Sequence, residues 1–90
     1  MALKILSSPP PEPEEIAGQL ALAIEKALPG AKAEVAVGSP GHFELTVRAT
    51  ALAGLSRVKQ QQAVYAAIAH LMAGDSAPVH AIDRMTIQTT

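Results

Sequence analysis

The 90-residue sequence has no cysteine and no tryptophan, with a single phenylalanine and a single tyrosine. Without thiols the chain can form no disulfide and can offer a metal no thiolate ligand. No apolar run approaches the ~20 residues that a membrane-spanning helix needs. Excess charge of one sign is also missing: seven Lys and Arg against eight Asp and Glu leave a formal charge of −1. Such a chain has no general electrostatic pull toward nucleic acid or an anionic membrane. The opening segment MALKIL is short, weakly basic and cut off by Pro9-Pro10-Pro11, unlike a secretory signal. Nucleophile-elbow, phosphate-loop and HExxH motifs are absent too. A soluble, cytoplasmic, non-enzymatic protein is the expectation.

What remains is mostly Ala, Val, Leu and Ile, enough for one small domain with an aliphatic core and moderate stability. Residues 1–12 end in a proline-rich run and read as a flexible arm, because each proline removes a donor and restricts its predecessor. The domain proper spans 13–90. A first helix opens at Pro13-Glu14-Glu15, where proline is tolerated and the helix dipole favours acid. Its apolar stripe is Ile16, Leu20, Ala23, Ile24 and Ala27, and Pro29-Gly30 ends it.

Ala33, Val35 and Val37 alternate with Glu34 and Ala36 as a first strand. Phe43, Leu45 and Val47 alternate with Glu44, Thr46 and Arg48 in a second, from His42 to Ala49. Gly38-Ser39-Pro40-Gly41 between them predicts an antiparallel hairpin. These four residues also fit the GXXG pattern of RNA-clamping loops, but such a clamp belongs between helices, and here it joins strands. After the turn Ala51-Leu52-Ala53-Gly54 comes a long helix with Val64, Ala67, Ile68 and Leu71 as its buried stripe. The last strand runs from Val79 to Thr89. Strict alternation puts Val79, Ala81, Met85 and Ile87 on one face and His80, Ile82, Arg84, Thr86 and Gln88 on the other, with a bulge or edge position expected at Asp83. Helix, strand, strand, turn, helix, strand makes an α+β fold, with helices on one face of a three-stranded sheet.

The groups with chemistry to offer are few. His42 and His80 stand near strand starts, and alternation turns both away from the apolar face. If those strands are neighbours, the two imidazoles share one exposed patch, and neutral imidazole is a common metal ligand. Solvated polar-face residues are the default for such histidines. His70 lies on the side of the long helix. Arg57, Lys59 and Arg48 are the cations placed to meet a polyanion, and three of them neutralise about three phosphates, a weak and salt-sensitive contact. Gln60-Gln61-Gln62 reads as a solvated helix face.

The segments HFELTV, Ala-Gly-Leu-Ser, Arg57-Val58-Lys59-Gln60-Gln61-Gln62-Ala63-Val64-Tyr65 and Leu71-Met72, then Val79-His80-Ala81-Ile82 and Met85-Thr86-Ile87-Gln88-Thr89, resemble the BolA family in order and spacing. The resemblance covers roughly residues 14 to 89. It implies a class II KH-like arrangement and a monothiol glutaredoxin as heterodimer partner, around a shared [2Fe–2S] cluster that the isolated chain, a monomer or weak dimer, does not hold. It implies that glutaredoxin and glutathione supply sulfur, while the BolA-like partner supplies a histidine from its last strand. His80 stands at that position, and His42 is the nearest match to a second ligand from the hairpin region. Cluster assembly, trafficking or iron sensing is the implied role. The alternative is transcriptional regulation through DNA, with the turn and long helix resembling a helix-turn-helix. Relatives carry a basic run early in that helix, and here glutamines replace much of it, which weakens the DNA reading.

Overall fold

A computed structural model describes residues 12–90. Apart from Glu12, the arm expected over residues 1–12 lies outside the described residues.

Helix α1 spans Pro13–Ala27 and α2 spans Arg57–Met72. The strands are β1 (Lys32–Val37), β2 (His42–Arg48) and β3 (Ala81–Gln88). Their order along the chain is the one the sequence predicts. Pro13 opens α1, where its missing N–H is no loss, and the Glu12 N–H donates to the Glu15 carboxylate at 3.3 Å. Ser56 caps α2, its hydroxyl accepting from the Lys59 N–H at 3.2 Å.

β2 is the central strand, antiparallel to β1 and parallel to β3. The parallel pairing requires a crossover, and α2 supplies it. Both helices cover one sheet face. Ile16, Leu20 and Ile24 of α1 and Val64, Ile68 and Leu71 of α2 pack with Phe43, Leu45 and Val47 in one core. Each set follows the period of its own element: four residues apart along α1, two along β2. Among the described residues no polar or charged side chain is buried. The Glu25 carboxylate on α1 ties helix to sheet, accepting the Ala33 N–H at 3.0 Å.

Two details of α1 and β3 differ from the sequence reading. Ala27 is exposed rather than part of the stripe, because the helix ends there. The other difference is in β3, which begins at Ala81 and carries a bulge: Phe43 is in register with Ile82, but Glu44 with Arg84. Asp83 is therefore the extra residue, as expected, and it resets the alternation. Ile82, Met85 and Ile87 pack on the core together, so Ile82 does not share a face with Arg84, Thr86 and Gln88, and Ala81, in register with His42, does not share the core face with Met85 and Ile87.

Candidate functional site

The loop Gly38–Gly41 closes with two backbone bonds, Gly38 N–H to the His42 carbonyl (2.9 Å) and His42 N–H to the Ser39 carbonyl (2.8 Å). It delivers His42 to the start of β2, in register with Ala81. β2, which His42 heads, is therefore the neighbour of β3, and His80 lies one residue before β3. Across the same junction the Gly41 carbonyl accepts both the His80 N–H (2.8 Å) and the Ala81 N–H (3.1 Å).

His80 is exposed, and its ring lies against the Gly41 α-carbon. A Cβ at Gly41 would stand 2.5 Å from His80 Nδ1, and Gly41 has a φ of 81°, so both space and backbone require glycine there. Beside the ring a groove of about 340 Å³ runs between Ile16 of α1, Pro40 of the hairpin and Ala77-Pro78 of the loop before β3. His80 thus combines solvent access, a fixed backbone and an apolar recess next to it.

His42 is arranged differently. Its Nδ1 lies 2.9 Å from Oδ1 of Asp83, the bulge residue, with the two side chains 38% and 49% exposed. One ring nitrogen is therefore engaged and the other is left. Among the described residues no group of three or more His, Asp or Glu side chains is placed to hold a metal ion.

The cations occupy the other end. His42 and Arg48 terminate the same strand, about 20 Å apart at ~3.3 Å per residue. Arg48 is in register with Lys32 and donates from Nε and Nη2 to Gln88 Oε1, 3.2 Å each. Arg57 and Lys59 lie in the first turn of α2, which has no acidic residue. Gln60 is not part of a solvated face: its amide donates to the Leu52 and Leu55 carbonyls, 3.1 Å each, and fixes the turn onto the helix. His70 is exposed in the last turn of α2, beside Leu22 and Lys26 of α1.

Sequence reasoning named His80, His42, Arg57, Lys59 and Arg48 and missed three residues that position them. Asp83 had a local signal, the broken alternation, but nothing that paired it with His42. Gly41 was legible as a turn residue but not as the seat of His80. Gln60 carried no signal, since its partners are backbone carbonyls of the turn.

Comparison with known proteins places the chain in context. Residues 21–90 match the family described as BolA-like protein. Among solved structures, the chain is similar to the solution structure of mouse BolA1 protein at 24% identity, covering 91% of this chain and 69% of that one, with a TM-score of 0.57. It is also similar to the solution structure of the XC975 protein at 29% identity, covering 91% of this chain and 95% of that one, with a TM-score of 0.52. No curated protein matches it.

Proposed function

The chain belongs to the BolA-like protein family, and from that premise we propose that it is a non-enzymatic partner of a monothiol glutaredoxin. The two proteins share a [2Fe–2S] cluster, with His80 as the first ligand from this chain and His42 as the second. The role is cluster assembly, cluster trafficking or iron sensing. The observation that supports the reading is the presence of two accessible imidazoles at one end of the sheet. An exposed imidazole at His80 stands beside an apolar groove, His42 lies on the neighbouring strand, and the chain has no thiol.

The residues present fit a shared cluster better than a resident one. Two imidazoles, with no third ligand among the described residues, leave the shell to be completed by a partner, and iron–sulfur clusters take thiolate readily. A cluster with imidazole in place of thiolate has a raised reduction potential, as in Rieske-type centres. What this chain itself contributes is orientation. The Gly41 carbonyl holds the backbone at His80 and Ala81 with one hydrogen bond each, and the groove beside it suits an apolar side chain of the partner.

The test is a titration of [2Fe–2S]-loaded monothiol glutaredoxin with this protein, followed by visible absorption and circular dichroism. A new spectrum saturating at one to one, and lost or altered in His80→Ala, supports the reading. An unchanged spectrum with no complex sinks it.

The second reading, DNA-binding regulation, is favoured by Arg57 and Lys59 in the acid-free first turn of α2. With about three phosphates neutralised, binding is weak and falls steeply with salt. Gel shifts at low and moderate salt test it independently of the cluster.

A further inference from the structure

We propose that Asp83 is a positioning residue that locks the tautomer of His42, so that the ring presents a single lone pair, on Nε2, to whatever it ligates. The proposal rests on the shared-cluster reading for the identity of the ligand, but the lock itself is a property of the chain alone.

The argument starts from the bond. Nδ1 of His42 and Oδ1 of Asp83 are 2.9 Å apart. An ionised carboxylate only accepts hydrogen bonds, so the proton of the pair belongs to the imidazole and sits on Nδ1. In the neutral ring the other nitrogen then carries the free lone pair. Metal-binding histidines have this arrangement: the second ring nitrogen donates to a carboxylate or carbonyl that fixes the tautomer and raises the basicity of the ligating nitrogen.

Asp83 reaches His42 because of the bulge. An unbroken register after Phe43–Ile82 would set Asp83 opposite Glu44, two like charges face to face, which is unfavourable. The bulge instead brings Arg84 into register with Glu44 and leaves Asp83 outside the ladder. Its side chain is then free to turn to His42, whose own register partner, Ala81, has no polar group to offer. The irregularity thus sets opposite charges in register along the strands and supplies the acceptor that orients the imidazole. Among the described residues His80 has no such partner; its ring lies against Gly41. The two histidines are oriented by different means, one by a hydrogen bond and one by packing.

The first experiment is a long-range ¹H–¹⁵N correlation spectrum of the imidazoles of the metal-free protein, recorded as a pH series carried up until the ring signals stop changing. His42 is expected in the Nδ1–H form in the wild type and as a tautomer mixture in Asp83→Ala, with the His80 signals unchanged as internal reference. An Nε2–H form of His42 in the wild type overturns the proposal without any variant. So does an Asp83→Ala spectrum in which His42 is unaltered. The second experiment titrates [2Fe–2S]-loaded monothiol glutaredoxin with both proteins. Loss of such an outer partner typically costs 10–100-fold in metal affinity, so Asp83→Ala is expected to bind the loaded partner at least about tenfold more weakly. Equal affinity overturns the positioning role. Failure of the wild type to form any complex removes the shared-cluster reading, while the imidazole spectrum still decides the lock.

Discussion

The imidazole of His80 rests on the α-carbon of Gly41, which leaves no room for a side chain: a Cβ there would stand 2.5 Å from Nδ1. The same glycine has a φ of 81° and accepts two backbone hydrogen bonds through its carbonyl. One residue thus closes the β1–β2 hairpin, aligns β3 beside β2 and seats the candidate ligand.

Gly41→Ala is expected to lower stability by about 1–3 kcal/mol, from left-handed backbone strain and the displaced ring together. It should also weaken the cluster complex, because His80 can no longer occupy its seat. His80→Ala removes an exposed side chain and should change stability by no more than about 0.5 kcal/mol. Urea melts of both variants, beside the glutaredoxin titration, check this. Equal stability losses in the two would mean that the ring and not the glycine holds the junction.

Gln60→Ala should destabilise the domain by about 1–2 kcal/mol, the worth of two ordinary hydrogen bonds. The carbonyls of Leu52 and Leu55 lose their donor, so amide exchange should quicken in the segment 50–56 before it does elsewhere. Gln62→Ala, at an exposed position one residue past Gln61, should leave both stability and exchange unchanged. If the two variants melt alike, the clamp contributes nothing.

Most of the fold was legible because it is written in short-range patterns. Leu20 and Ile24 recur at helical spacing, Phe43, Leu45 and Val47 at strand spacing, and Gly38 to Gly41 mark the turn between strands. What was not legible is long-range. The parallel pairing of β2 with β3 is made through a crossover and leaves no local trace. The bond between His42 and Asp83 links positions 41 apart. The face of Ile82 was misread for a related reason: alternation runs true only until a bulge resets it, and where the reset falls depends on the partner strand. The candidate site was thus visible as residue types but not as geometry. His80 and His42 were named, while Gly41 and Asp83, which orient them, became apparent only with the strands side by side.

The separation of the two ends of β2 gives a last prediction. His42 and Arg48 stand about 20 Å apart, beyond the ~8 Å Debye length at physiological salt. Arg57 and Lys59 follow the turn that leaves the Arg48 end, so charge changes there should not be felt at the histidines. The double variant Arg57→Gln/Lys59→Gln is expected to keep the spectral change with loaded glutaredoxin. If the chain binds duplex DNA through α2, the same variant should lower the slope of log K against log salt by about 1.8, two contacts at ~0.9 each. His80→Ala should leave that slope alone. A double variant that abolishes the cluster spectrum would place the glutaredoxin contact on the start of α2. The basic end and the histidine end would then serve one partner rather than two.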